Sequence, residues 1–292
     1  MQEETKKVPV GFIGLGVMGK SMAGHLLAAG YPLHVSTRTK SRADELLARG
    51  AIWQNSPGEV AAASAVIISM VGYPQDVEEI YFGDQGILHH SRRGSTVIDM
   101  TTSSPLLAEK IYARAADLGV AALDAPVSGG DIGAREARLS IMVGGDQAAL
   151  DEVKPILSHL GSNIVYQGKA GSGQHCKMAN QIAIASNLIG VCEAIRYAEK
   201  AGLSAETVLE SIASGAAGSW SLSNLGPRML KKDFAPGFYV KHFIKDMGIA
   251  LESCERIGLQ AEGLKLAKSL FDRLAAQGGE DDGTQALYKL YR

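Results

Sequence analysis

The sequence predicts a two-domain α/β protein, in which a doubly wound parallel sheet is followed by an all-helical C-terminal domain. Short apolar stretches alternate with helical stretches up to about residue 168, a pattern typical of a parallel sheet covered by helices. Beyond that point helical stretches continue, separated by Gly or Pro, without a convincing strand. The length of 292 residues also fits two domains of ordinary size.

Seven apolar stretches predict the strands, at residues 8–13, 32–35, 65–70, 95–100, 120–125, 139–143 and 163–166. We therefore assign residues 1–168 to the sheet domain, residues 169–200 to an interdomain helix and residues 201–292 to a helical domain. Residues 178–192 contain no charged side chain, which predicts a helix buried on all sides. With Asn180 and Gln181 in it, this stretch is too short and too polar for a membrane span.

Composition and charge disfavour several classes of protein. The 29 Lys and Arg residues against 31 Asp and Glu give a net charge of -2, which creates no overall field for nucleic acid or an anionic membrane. The three cysteines are scattered, which argues against a disulfide framework and a zinc site, and the seven histidines suggest no metal. Residues 1–7 lack the pattern of a signal peptide, so we expect a cytoplasmic protein.

The first strand leads into a glycine-spaced turn and then a helix. Residues 11–19 read Gly-Phe-Ile-Gly-Leu-Gly-Val-Met-Gly. Gly14 would form the tight turn, Gly16 would let the backbone approach a pyrophosphate, and Gly19 would let the helix pack against its strand. This order predicts a Rossmann-type dinucleotide site. The candidate cofactor contacts at the turn are Gly14, Leu15, Gly16, Val17 and Met18.

The end of the second strand indicates which dinucleotide binds. NAD sites place an acidic residue about 20 positions after the glycine motif. Here the chain offers Thr37, Arg38, Thr39 and Lys40, which suit a 2′-phosphate, and a guanidinium binds phosphate in bidentate fashion. We therefore predict a preference for NADP(H), with NAD(H) as a possible second cofactor. The alternative is a solvated basic loop.

Three later motifs add chemistry. Residues 124–130, Asp-Ala-Pro-Val-Ser-Gly-Gly, end a predicted strand where exposed amides could hold a carboxylate. Residues 171–181 include Lys177 and Asn180, spaced i, i+3 on one helix face. Residues 236–247 offer Phe238, Lys245 and Asp246 near a helix start.

In this order, the motifs resemble those of the β-hydroxyacid dehydrogenase family, which includes 3-hydroxyisobutyrate dehydrogenase and tartronate semialdehyde reductase, over nearly the whole chain. The resemblance implies hydride transfer between a nicotinamide cofactor and a small hydroxy acid or its semialdehyde, with Lys177 as the catalytic general acid and base. It implies substrate contacts from Ser128, Gly129, Gly130 and Asn180, to which the position of the aromatic residues adds Trp220 and Phe238. Further cofactor contacts would come from Met70, Val71, Thr102, Lys245 and Asp246. Because relatives associate through the helical domain, a homodimer or homotetramer is expected.

The identity of the substrate stays open. Residues 131–136 are more similar to tartronate semialdehyde reductases, whereas Trp220 departs from the pattern of those enzymes. Imine reductases share the fold but generally lack the lysine at position 177, and a 6-phosphogluconate dehydrogenase would need more basic residues and a much longer helical region. A non-catalytic cofactor-sensing protein is the alternative from another class.

Structural interpretations of the same residues also remain. Lys177 could be a lysine whose amine reaches solvent, Asn180 a local cap, and residues 128–130 only a turn. Lys245 and Asp246 could form a surface ion pair of little energetic value. Phe238 and Trp220 could be core residues.

Overall fold

The computed structural model describes residues 7–291, so most of the N-terminal segment interpreted as lacking a signal peptide lies outside the described residues. The chain divides into two compact units, with the boundary between Lys177 and Met178.

The first unit is built on one nine-stranded sheet. Its strands are β1 (Val10–Ile13), β2 (Leu33–Ser36), β3 (Ile52–Trp53), β4 (Val66–Ser69), β5 (Thr96–Asp99), β6 (Ala121–Asp124), β7 (Val127–Ser128), β8 (Leu139–Gly145) and β9 (Gly161–Gly168). The order across the sheet is β3-β2-β1-β4-β5-β6-β8-β7, and β9 pairs with β8. Strands β1 to β6 are parallel, so the turns that follow β1, β2, β4, β5 and β6 share one edge of the sheet.

The seven predicted strands all overlap observed strands, but two short strands, β3 and β7, were not predicted. The sheet is also not wholly parallel, because β8 runs antiparallel to β6 and β7. Parallel neighbours need a long crossover, usually helical. The chain from β6 through β7 to β8 has only a short intervening helix, so it reverses direction instead.

Helices cover both faces of the sheet, as the buried apolar runs of its central strands require. In β4, for example, all four residues are buried. The helices of the first unit are α1 (Gly19–Ala28), α2 (Asp44–Ala48), α3 (Pro57–Ala63), α4 (Pro74–Phe82), α5 (Ile87–His90), α6 (Pro105–Asp117), α7 (Gly130–Arg135) and α8 (Gln147–Leu157). Two apolar clusters lie in this unit, one containing Phe12 and Ile98 and the other containing Ile67 and Val97.

Helix α9 (Ser172–Lys200) begins in the first unit and continues into the second. The second unit then contains α10 (Ala205–Ala213), α11 (Trp220–Asn224), α12 (Gly226–Leu230), α13 (Val240–Arg256) and α14 (Glu262–Leu274), followed by the helical turns Ala275–Gly279 and Thr284–Leu290. No strand occurs in the described residues after β9. The core of this unit follows helical spacing: in α14 the buried residues are Leu264, Ala267, Phe271 and Leu274.

The prediction that the uncharged part of α9 is buried on all sides is wrong for the single chain. Ala179, Ala183, Asn187 and Gly190 are exposed, and they recur at the spacing of one helix face. The stretch lacks charge because this face carries small uncharged residues, not because every face is covered. By length and composition alone α9 could cross a membrane, a test that core helices also pass.

Candidate active site

The glycine turn after β1 has the shape that a dinucleotide requires. Gly14 has φ +94°, and a Cβ there would overlap the carbonyl oxygen of Met70. A Cβ at Gly19 would overlap the carbonyl oxygen of Gly14, so these two positions need glycine for packing. At Gly16, by contrast, an added Cβ meets no atom within 4 Å. The open space at Gly16 fits the approach of a pyrophosphate.

The helix that follows the turn suits an anion. α1 begins at Gly19 and has no acidic residue in its first turn. The first N–H groups of a helix lack partners within it and carry the positive end of the macrodipole. Leu15 is only 1% exposed and belongs to the core, whereas Val17 is largely exposed. Met18 packs against the core.

The predicted phosphate-binding residues lie immediately beyond β2. The backbone N–H of Leu15 donates to Thr37 Oγ1 at 3.4 Å, which joins this segment to the glycine turn. The Arg38 side chain is 86% exposed, and its Nη1 lies 3.3 Å from Oδ1 of Asp76 at the start of α4. Thr39 precedes a short 3-10 turn that begins at Lys40.

The amine of Lys40, the last of these residues, lies over an aromatic ring. The distance from Lys40 Nζ to the centroid of the Trp53 ring is 5.2 Å. Such a cation–π contact is worth about 0.5–1 kcal/mol at an exposed site. Trp53 belongs to the unpredicted strand β3.

Hydrogen bonds join the loop after β4 to strand β1 and to the loop after β5. The Met70 N–H donates to the Ile13 carbonyl at 2.9 Å, and the Val71 N–H donates to Thr101 Oγ1 at 3.0 Å. Thr102, the third predicted contact in this region, follows Thr101 directly. The structure therefore brings the turn after β1 and the loops after β4 and β5 together at one edge of the sheet.

A buried carboxylate supports these two loops. Asp99 Oδ1 accepts hydrogen bonds from Ser69 Oγ at 2.9 Å and from the Thr101 N–H at 3.1 Å. The Ser69 hydroxyl also lies 3.1 Å from the phenol oxygen of Tyr81. Burial raises the pKa of Asp99 to about 6, against the lowering effect of the hydrogen bonds from Thr101 and Ser69. Sequence reasoning assigned no role to Asp99, which ends a buried apolar strand.

A second carboxylate holds the start of α9. Asp124 accepts the N–H of Gly171 at Oδ1 and the N–H of Gln174 at Oδ2, each at 2.8 Å. Burial raises the pKa of Asp124 to about 6, against the lowering effect of these backbone donors. Asp124, the first residue of the 124–130 motif, thus caps the start of α9. The sequence had predicted only that the backbone amides of this motif hold a substrate carboxylate.

Lys177 is buried beside the same motif. Its side chain Nζ donates to the carbonyl oxygen of Val127 at 2.8 Å, and the residue is only 7% exposed. The interpretation of Lys177 as a lysine with a solvated amine is therefore wrong. Ser128 follows on β7, and Gly129 and Gly130 have φ +132° and +63°, values that glycine adopts without strain. The structure thus brings Lys177 next to the segment predicted to bind the substrate carboxylate.

In the helical unit, four side chains form one chain of contacts. Asn180 Nδ2 donates to Gln181 Oε1 at 2.7 Å, and Gln181 Nε2 donates to Asp246 Oδ2 at 2.6 Å. The other carboxylate oxygen of Asp246 lies 2.8 Å from Lys245 Nζ, and the two side chains are 2% and 13% exposed. Lys245 and Asp246 are therefore a buried pair and not a surface pair. Gln181, which the sequence left without a role, joins Asn180 to that pair.

The two predicted aromatic contacts differ from each other. Trp220 begins α11 and is 64% exposed, so its interpretation as a core residue is wrong. Phe238 is partly buried, and its ring packs edge-to-face on Phe243 with 5.9 Å between ring centroids. Within residues 7–291, no three His, Cys, Asp or Glu side chains are grouped to hold a metal ion.

Two family models match this chain, one over the sheet domain and one over the helical part. A family model described as the NAD binding domain of 6-phosphogluconate dehydrogenase matches residues 9–168. A second model, the NAD-binding domain of NADP-dependent 3-hydroxyisobutyrate dehydrogenase, matches residues 171–291.

Individual proteins are similar over nearly their full length. An uncharacterised oxidoreductase of Bacillus subtilis (strain 168), YkwC, is 60% identical over 98% of this chain and 99% of its own. The 2-hydroxy-3-oxopropionate reductase of Escherichia coli (strain K12) is 43% identical over 95% of each chain. Among solved structures, Mycobacterium tuberculosis 3-hydroxyisobutyrate dehydrogenase with L-serine superimposes with a TM-score of 0.90, at 31% identity over 98% of this chain and 99% of that one.

Proposed function

The chain belongs to the β-hydroxyacid dehydrogenase family and is an NAD(P)-dependent hydroxyacid dehydrogenase, and on that premise we propose that it transfers a hydride between NADP(H) and a small β-hydroxy acid or its semialdehyde. Lys177 is the general acid and base of the proposed reaction. The observation that carries the proposal is the buried Lys177 amine, 2.8 Å from the Val127 carbonyl beside the Ser128–Gly130 segment.

The environment of Lys177 supports a role in proton transfer. The Val127 carbonyl accepts a hydrogen bond from the amine and so orients it, but this carbonyl is not a base that takes the proton of the ammonium. In the reductive direction Lys177 gives a proton to the oxygen of the aldehyde as that oxygen gains negative charge. In the oxidative direction the neutral amine removes the hydroxyl proton. The bound nicotinamide supplies or accepts the hydride.

The preference for NADP(H) rests on Arg38. Its exposed guanidinium stands immediately beyond β2, where it can form two parallel hydrogen bonds to a 2′-phosphate. The 3.3 Å contact with Asp76 is exposed on the arginine side and long, so it contributes little energy that a phosphate must replace. NAD(H), which lacks that phosphate, would bind without the contact to Arg38 and therefore more weakly.

The proposed substrate is a short acid. The relatives are named for 2-hydroxy-3-oxopropionate and 3-hydroxyisobutyrate, and both compounds carry a carboxylate and a hydroxyl or carbonyl group within a few carbon atoms. In this chain Ser128, Gly129, Gly130 and Asn180 are the proposed carboxylate contacts. An amide nitrogen has two N–H groups, so Asn180 Nδ2 can donate to a carboxylate as well as to Gln181 Oε1.

We also propose that the protein is a homodimer or homotetramer joined through the helical unit. The exposed face of α9 carries small uncharged residues, including Ala179, Ala183 and Gly190, which let another helix approach closely. Light scattering coupled to gel filtration measures the mass in solution. A strict monomer at micromolar concentration would contradict this assignment.

The reaction is tested by the initial rates of NADPH and NADH oxidation with succinic, methylmalonic, tartronic and malonic semialdehydes. Lys177→Ala removes the proposed acid, and Lys169→Ala, an exposed lysine just before α9, is the matched control. We expect turnover with NADPH that Lys177→Ala lowers by at least about 10²-fold and that Lys169→Ala leaves unchanged. Binding of cofactor without turnover of any aldehyde would refute the proposed substrate class.

A further inference from the structure

Gln174 is a buried residue of the first turns of α9, and both ends of its side-chain amide are engaged by one loop. The Ser103 N–H donates to Gln174 Oε1 at 2.9 Å, and Gln174 Nε2 donates to the Thr101 carbonyl at 2.7 Å. Because an N–H only donates and a carbonyl only accepts, these two partners fix which end of the amide is oxygen. Gln174 is 0% exposed, so water is not available to replace either bond.

The loop that Gln174 holds carries a proposed cofactor contact. Thr102 lies between the two residues that bond to the amide. The Thr101 hydroxyl accepts the N–H of Val71, a second proposed contact, at 3.0 Å. The Thr101 N–H donates to the buried carboxylate of Asp99 at 3.1 Å. Gln174 therefore bonds to the loop after β5, and the Thr101 hydroxyl of that loop bonds in turn to the loop after β4.

The other end of this connection is the helix that carries Lys177. The Gln174 N–H is bonded to Asp124, which caps α9. Lys177 follows three residues later, close to one helical turn, and contacts Val127 at 2.8 Å. One side chain thus connects the loop at Thr102 with the helical turn that presents the proposed acid.

We propose that Gln174 is a positioning residue that sets the distance between the cofactor-binding loop at Thr102 and the amine of Lys177. This inference rests on the proposed function, because it assigns its roles to Lys177 and Thr102. Without the amide, the Ser103 N–H and the Thr101 carbonyl would be buried without partners, and the loop would shift to recover hydrogen bonds. A displacement of about 1 Å between reacting groups can lower a rate by about 10²-fold.

The test compares Gln174→Met with Gln285→Met. Methionine keeps the length of glutamine and removes its hydrogen bonds. Gln285 is an equally buried glutamine, 1% exposed, whose amide donates to the carbonyls of Asp233 and Ala235 at 3.0 Å. Both variants lose two buried contacts, so both are expected to lose thermal stability. Only Gln174→Met is expected to lower kcat, at saturating NADPH and semialdehyde, by about 10- to 100-fold.

The outcome is read from kcat, the NADPH dissociation constant and Tm, with Lys177→Ala measured in parallel. A fall in kcat at least tenfold larger for Gln174→Met than for Gln285→Met supports positioning, and a smaller difference overturns it. If Gln174→Met does not fold, Gln174→Asn is used under the same criterion, since its shorter amide cannot span both partners. Turnover that requires Lys177 but not Gln174 overturns this inference alone. Absence of any turnover by the unmodified protein overturns the proposed function and this inference with it.

Discussion

Alanine substitution in the glycine turn separates cofactor binding from folding. At Gly16 the backbone φ lies outside the left-handed region, and an added Cβ meets no protein atom within 4 Å. Gly16→Ala should therefore leave stability unchanged or raise it by about 0.4–1 kcal/mol, the usual effect where the backbone already suits alanine. The new methyl group would occupy the space through which a pyrophosphate approaches. We expect the dissociation constant for NADPH to rise at least tenfold, or about 1.4 kcal/mol.

Gly14→Ala is the matched control and should behave in the opposite way. Its φ of +94° strains an alanine, and the Cβ would overlap the Met70 carbonyl oxygen. We expect a loss of about 1–3 kcal/mol from backbone strain alone, or a Tm lower by several degrees at about 2–4 °C per kcal/mol for a protein of this size. Thermal unfolding gives stability, and NADPH fluorescence gives affinity. Wild-type NADPH affinity in Gly16→Ala, or an equal loss of stability in both variants, would refute the reasoning.

Three further predictions concern charged side chains. Arg38→Ala should raise KM for NADPH at least tenfold and leave KM for NADH unchanged, so steady-state kinetics with equal effects on both cofactors would contradict its role. Because burial raises the pKa of Asp99 from 3.8 to about 6, the native state keeps this proton to higher pH than the unfolded state, and stability falls as pH rises from about 4 to 6. Asp99→Asn should reduce this loss in the free energy of unfolding by up to about 3 kcal/mol, as measured by urea titrations between about pH 4 and 6. An unchanged pH dependence in the variant would contradict the prediction. Asp246→Ala should lower the free energy of unfolding by about 3–5 kcal/mol, because it removes the carboxylate that pairs with the Lys245 amine. Adding Lys245→Met should recover part of this loss in a double-mutant cycle. Strictly additive effects of the two substitutions would show that the pair is not coupled.

The sequence predicted the glycine turn well because its determinants are local. Strand, turn and helix follow within a few residues, the glycines at 14 and 19 each have a steric reason within the protein, and the open space at Gly16 is the expected approach of the pyrophosphate. For β1, β2, β4, β5 and β6 the overlap of predicted and observed strands has the same origin, since a buried parallel strand is a continuous apolar run. β7 has only two residues, Val127 and Ser128, which is too few for any periodic signal. The antiparallel course of β8 depends on that strand and was missed with it.

The exposed face of α9 shows why burial could not be predicted from the absence of charge. Absence of charge was interpreted as burial, but Ala183 and Gly190 add so little apolar surface that exposing them to water has a small cost. An uncharged stretch of small residues is therefore compatible with an open face. Larger side chains such as Leu188 and Ile195 do distinguish the buried face of the same helix.

The supporting residues of the site could not be predicted, because their partners are remote in sequence. Gln174 bonds to residues 71 and 73 positions away, and Asp124 to residues 47 and 50 positions away. The available signal was chemical: a glutamine and an aspartate stand in segments whose neighbours are buried, and buried polar groups are nearly always hydrogen-bonded. A search for such residues would have found Asp99, Asp124 and Gln174 without identifying their partners.

These three residues also explain how a mainly apolar sheet can hold loops at defined positions. Apolar packing is non-directional, so it limits the volume that a loop occupies more than the direction of its backbone groups. Asp99, Asp124 and Gln174 bind backbone N–H or C=O groups directly and thereby fix orientation. Each loses hydration on burial, and the pKa of about 6 for both carboxylates reflects that cost. This loss of hydration is offset by the fixed loop positions, because the proposed reaction depends on the position of Lys177 relative to the loop at Thr102.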